Sequence, residues 1–153
     1  MDHEVGQLAW EKRILFVGVF KDADEVQRYL GGIFELAMAD DDVSGILAAS
    51  GVVLRVVYSD PDSEVTVDFP NKRVYKGASD LPPVVELRMA ADLGNKFWLG
   101  NVNLPVAMAR GQVRAKGPVP RILKLIPVAK SLYPQYERML RDSDREDLIA
   151  AGS

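Results

Sequence analysis

The chain has 153 residues, an apolar fraction of 48% and a formal net charge of −3, which together argue for one globular domain whose core can enclose a small ligand. So small a charge excludes a field that draws the whole protein to nucleic acid or to an anionic membrane. The absence of cysteine excludes disulfides, thiol catalysis, thiolate zinc sites and iron–sulfur clusters, and the single histidine, His3, reads as a solvated tail residue, which removes the usual triads and histidine metal sites.

Residues 1–21 read as an N-terminal arm with a short strand at 14–20. The run Ile14-Leu15-Phe16-Val17-Gly18-Val19-Phe20 falls short of the roughly 20 residues that cross a bilayer. The charges around it fit a signal peptide poorly, and Ala151-Gly152-Ser153 is not the Ser-Lys-Leu peroxisomal signal. The expectation is a cytoplasmic protein with no stable membrane insertion.

Asp22 can cap a helix, with Glu25 reaching back. Val26, Tyr29, Leu30, Ile33, Phe34 and Ala37 then recur at helical spacing for four or five turns. Gly31-Gly32 within it cost about 1 kcal/mol each in helix propensity, for which close packing against another element is the simplest reason. Asp40-Asp41-Asp42 opens a second short helix through Ala49; a calcium loop would need an alternating ligand pattern that is missing.

From 51 to 90 the period changes to two. Leu54, Val56 and Tyr58 alternate with Val53, Arg55 and Val57; Val65, Val67 and Phe69 with Glu64, Thr66 and Asp68; and Val85, Leu87 and Met89 with Val84, Glu86 and Arg88, as strands with one apolar face do. Asp60-Pro61-Asp62 and Pro70-Asn71 supply turns, with a third strand at 72–76. A fifth strand follows at Gln112–Lys116, ending at Gly117. Between the fourth and fifth strands, Asp92 stands where an N-cap is wanted, Gly100 stops the helix, and Pro105 opens a short helix that ends at Gly111. After the last strand Pro118 and Pro120 introduce a helix that Pro127 breaks. Pro134 makes a further break before a final helix over 135–150. The expected fold is α+β: a five-stranded, mostly antiparallel sheet with one face covered by several helices.

Catalytic equipment is sparse. Asp60 and Asp62 read as turn residues, and Asp92 or Glu86 would be the first candidates for an acid–base role on an apolar substrate. The glycines match no phosphate loop. Arg110, Arg114, Lys116, Arg121, Lys124 and Lys130 make a basic region without interleaved aromatics, so no nucleic-acid partner is expected. They read as a solvated face, or as cations that meet a headgroup or a coenzyme A phosphate at a pocket mouth. Phe97, Trp98, Leu99, Val102, Leu104, Val106, Met108, Ile122, Leu123 and Ile126 fall in short, broken helices. Such helices over a sheet can leave an apolar pocket, or can simply fill the core.

The order Met89-Ala90-Ala91-Asp92-Leu93, then Phe97-Trp98-Leu99-Gly100-Asn101, Asn103, Ala107-Met108-Ala109-Arg110 and a last strand framed by Gly111 and Gly117 resembles the sterol carrier protein family. The likeness covers about residues 22–130 and places Arg121–Ile126 on the family's C-terminal helix. Leu104-Pro105 is an unusual start to the short helix, and the arm at 1–21 and the chain after Pro134 lie outside the pattern. The resemblance implies a lipid-binding domain at 22–130; beyond it, 131–153 reads as a C-terminal helical extension packed on the same domain. It also implies an apolar tunnel holding a fatty acid, acyl-CoA, sterol or phospholipid without catalysis, cofactor or metal. The expected tunnel residues are the ten above with Val113, and the expected headgroup contacts are Arg110, Arg121 and Lys124. The alternatives are a protein–protein module, self-paired as a homodimer or serving a lipid-metabolism enzyme, and a small enzyme such as an isomerase.

Overall fold

The computed structural model describes residues 18–153; His3 and most of the expected arm lie outside them, and residues 18–20 of the expected strand run as irregular chain. Helix α1 covers residues 23–39, formed by Ala23–Val26, a π turn at Gln27–Gly31 and Gly32–Ala39. Asp22 caps it by accepting from the Glu25 N–H at 3.0 Å, and the Glu25 carboxylate reaches back to the Lys21 N–H at 2.8 Å. Its two central glycines lie against neighbours: a Cβ at Gly31 would come within 3.2 Å of the Lys76 side chain, and one at Gly32 within 3.2 Å of Met139 Sδ. Helix α2, Asp41–Ala49, is capped by Asp40, which accepts from the Val43 N–H.

Strands β1 (Val53–Ser59), β2 (Ser63–Asp68), β3 (Arg73–Lys76), β4 (Val85–Ala90) and β5 (Arg114–Lys116) form one sheet in the order β3-β2-β1-β4-β5. Every neighbouring pair is antiparallel except β1 and β4, which run parallel. That parallel pair needs a crossover. Residues 77–84 supply it without a helix, lying on the sheet face away from the helices, where the Arg55 guanidinium donates to the Ser79 and Leu81 carbonyls at 2.8 and 2.6 Å. At the end of the crossover Gly117 adopts φ +101°, and a Cβ there would strike the Val84 carbonyl, so glycine alone fits.

The opposite face carries the core. Leu54, Val56 and Tyr58 of β1, Val65 and Val67 of β2, and Val85 and Leu87 of β4 are buried against Val26, Leu30, Ile33 and Phe34 of α1. Further cover comes from α3 (Ala91–Trp98), α4 (Leu104–Ala109), α5 (Val119–Leu123), α6 (Ile126–Lys130), α7 (Tyr133–Asp142) and α8 (Glu146–Ala151). Proline is the second residue of α4, α5, α6 and α7. In the first turn its missing N–H costs nothing, so Pro127 and Pro134, expected as breaks, are starts of new helices. The final helix expected over 135–150 is two helices, divided where Asp144 adopts φ +56°.

Candidate functional site

An apolar cavity of about 80 Å³ lies between the sheet and its helical cover. Its floor is Leu54, Val56 and Tyr58 of β1 with Leu87 and Met89 of β4. Phe34 and Ala37 of α1 and Leu47 of α2 form one wall; Gly94, Phe97 and Trp98 of α3 form another. Leu104, Ile122, Leu125, Ile126, Val128, Ala129 and Leu132, drawn from α4 to the start of α7, form the cover. No charged side chain lines it. Burial pushes the Tyr58 phenol well above its ordinary value, so the one hydroxyl in the wall stays neutral at neutral pH.

The rings meet edge to face around Trp98. Its centroid is 5.4 Å from Phe34, 5.1 Å from Phe97 and 6.3 Å from Tyr133, with interplanar angles of 89°, 65° and 86°. Edge contacts of this kind are the favoured aromatic geometry, and they fix the wall between α1, α3 and α7. Behind it Asn95, 1% exposed, donates to the Leu148 carbonyl at 2.9 Å and accepts from the Tyr136 hydroxyl at 2.7 Å. The Asn101 amide donates to the Gly152 carbonyl at 2.7 Å. These bonds tie α7 and α8 to α3.

Of the expected tunnel residues, Phe97, Trp98, Leu104, Ile122 and Ile126 line the cavity. Leu99, Val102, Met108 and Leu123 pack elsewhere at the edge of the core, Val113 is buried in the core away from the cavity, and Val106 is 42% exposed. The physical reason is the brevity of α4 and α5: over five or six residues only one or two side chains can point inward. The cavity does not belong to the short helices alone, because Phe34 and Ala37 of the long first helix also line it. Arg110, Arg121 and Lys124 are exposed and do not line this cavity.

Asp92 is not the cap of α3. The cap position is Ala90, and the Asp92 carboxylate accepts from the Val19 N–H at 2.9 Å. Glu86 pairs with Arg88 at 3.1 Å on the sheet face remote from the cavity. Neither carboxylate lines the cavity. Among the described residues no group of three or more His, Asp or Glu side chains is placed to hold a metal, and no helix is long and apolar enough to cross a membrane.

A second tie joins α1 to the C-terminal helices. Arg145 donates to both Asp147 oxygens at 3.0 and 3.1 Å and to Glu25 at 3.0 Å, and its guanidinium lies 5.3 Å from the Tyr29 ring centre. The hydrogen bond from Arg145 holds the Asp147 carboxyl below its ordinary value.

No family model matches the chain, and no curated protein matches it by sequence. Among solved structures it is similar to the sterol carrier protein domain 2 of Helicoverpa armigera, at 12% identity and TM-score 0.59 over 71% of this chain and 88% of that one. It is likewise similar to sterol carrier protein 2 from Yarrowia lipolytica in its apo form, at 15% identity and TM-score 0.55 over 67% and 88% of the two chains. A third similar structure is a UbiJ-SCP2 ubiquinone synthesis protein, at 15% identity and TM-score 0.51 over 67% and 88%. At these identities the likeness is one of fold: the chain has the sterol carrier protein 2 fold.

Proposed function

We propose that the protein is a non-catalytic carrier that holds a fatty acid, acyl-CoA, sterol or similar apolar ligand between its sheet and its helical cover. The observation that supports this reading is the uncharged cavity at Trp98, in a fold shared with sterol carrier protein 2. An acyl chain of about 16 methylenes gains roughly 13 kcal/mol gross on burial at about 0.8 kcal/mol each. Association costs about 4–15 kcal/mol of that gain. Useful affinity therefore needs a long chain well buried, and no directed hydrogen bond or reactive group.

The cavity of about 80 Å³ is smaller than the roughly 300–1,000 Å³ of ordinary ligand pockets. Binding in this reading widens it. The part suited to give way is α5 with α6: α5 buries only Ile122, and α6 buries no residue fully, so moving them forfeits little packing. The expected tunnel is then a state of the complex, formed as this cover lifts.

Native mass spectrometry of the purified protein tests the reading. The expected spectrum contains a species heavier by one fatty acid or sterol, or acquires one on incubation with palmitate. A clean apo mass, with no uptake of palmitate or cholesterol, contradicts it.

A further inference from the structure

Charge is distributed very unevenly along the chain. Between Asp92 and Glu137 there is no carboxylate side chain at all, but there are seven lysines and arginines, although the whole chain carries −3. This stretch contains α4, α5 and α6, the helices that cover the cavity. Their inner faces supply Leu104, Ile122 and Ile126 to the cavity, and Arg110, Arg121, Lys124 and Lys130 are all exposed outside it. None of these four makes an ion pair among the described residues. The exposed large apolar side chains sort the same way. Leu36 and Ile46 stand on either side of the acidic turn Asp40–Asp42, and Val106 stands within the acid-free stretch.

The geometry points to the outer face of α4–α6, which carries Arg110, Arg121, Lys124 and Lys130 and the exposed Val106, as a docking surface for an anionic lipid bilayer. The inference rests on the lipid-carrying reading and adds where the cargo is exchanged: the cover that must open is the part that meets the membrane. A dispersed set of long cations with one apolar side chain suits a fluid sheet of phosphates better than a single headgroup. Nucleic acid is a poor fit, because Trp98 is buried and Phe97 and Tyr133 are partly so, and among the described residues no aromatic ring is fully exposed for stacking. The two cations of β5, Arg114 and Lys116, lie on the opposite face of the sheet beside Glu86 and Arg88 and belong to a different surface.

Each lysine or arginine near an anionic membrane strengthens partitioning by about fivefold, and the gain is lost as salt screens it. The test is sedimentation of the full chain with vesicles of phosphatidylcholine containing about one third phosphatidylserine, beside vesicles of phosphatidylcholine alone. The expected result is binding to the anionic vesicles only, weakened by salt. K130Q should lower it by about fivefold, while K72N, which removes the same charge at the exposed β2–β3 turn, should change it by less than about twofold. Both variants should bind fluorescent fatty acid in vesicle-free buffer as the parent chain does. Failure to bind anionic vesicles, equal binding to neutral ones, or equal losses in the two variants overturns the docking surface. Loss of fatty-acid binding by the parent chain itself would instead overturn the carrier reading beneath it.

Discussion

Ala37→Leu asks whether the space beneath the cover is real. Ala37 is fully buried on α1 and faces the cavity. The cavity of about 80 Å³ is partly open, so the roughly 24 cal/mol per Å³ of an enclosed void sets an upper bound of about 2 kcal/mol on what filling it gains. Leucine adds three carbons, enough to occupy most of it. Against the gain stand about 0.5–1 kcal/mol of side-chain entropy and some imperfect fit. The expected outcome is a chain at least as stable as the parent, by up to about 1 kcal/mol in urea unfolding. A ligand must then displace the new side chain and forfeit the filling, so fatty-acid affinity should fall by about fivefold for a loss of about 1 kcal/mol, and by at most about 30-fold for the full ~2 kcal/mol. In a core already full, the same substitution costs about 1–3 kcal/mol by overpacking. Destabilisation in that range with unchanged fatty-acid affinity would refute the reasoning.

Three further outcomes follow from particular contacts. Asn95→Ala leaves the Leu148 carbonyl and the Tyr136 hydroxyl without their buried partner; the expected cost is about 2–4 kcal/mol, with hydrogen exchange in α7 and α8 accelerating ahead of the sheet. Gly94→Ala places a Cβ 2.9 Å from Tyr58 Cε1 and 3.0 Å from Leu30 Cδ1; despite the better helix propensity of alanine, chemical denaturation should show a net loss of about 1–2 kcal/mol. Arg145→Gln frees the Asp147 carboxyl to rise towards its ordinary value near 4, which NMR titration reads directly. Because the folded value in the parent chain is lowered, the associated stabilisation is present at neutral pH and fades as pH falls through that value. The stability gap between parent and variant should therefore narrow on acidification.

The sheet is legible in the sequence because period two leaves one reading: Leu54, Val56 and Tyr58 cannot share a face in a helix. The parallel pairing of β1 with β4 is not legible there, since a crossover without a helix leaves no periodic trace in residues 77–84. The prolines were visible as helix punctuation, but a proline that ends one helix and one that begins the next look alike until the chain around it is seen; Pro127 and Pro134 begin α6 and α7. The cavity was legible only on one side. Phe97, Trp98 and Ile122 stood out as surplus apolar residues in short helices, whereas Phe34 and Ala37 sit on a regular apolar stripe that reads as ordinary core. Lining a cavity and filling a core require the same side chains, so no pattern separates them. Asp92 shows the limit from the polar side: its carboxylate serves the Val19 amide, 73 residues away in the chain, and local spacing carries no sign of such a partner.

Trp98 offers the most direct test of the central claim, that an apolar ligand occupies the space between sheet and cover. With Trp10→Phe, Trp98 is the sole tryptophan of the chain, and it stands in the cavity wall. Titration with a fluorescent polyene fatty acid should show saturable energy transfer from Trp98 at one ligand per chain, reversed by palmitate. Transfer that never saturates, or that palmitate does not reverse, would mean that the ligand is not held there.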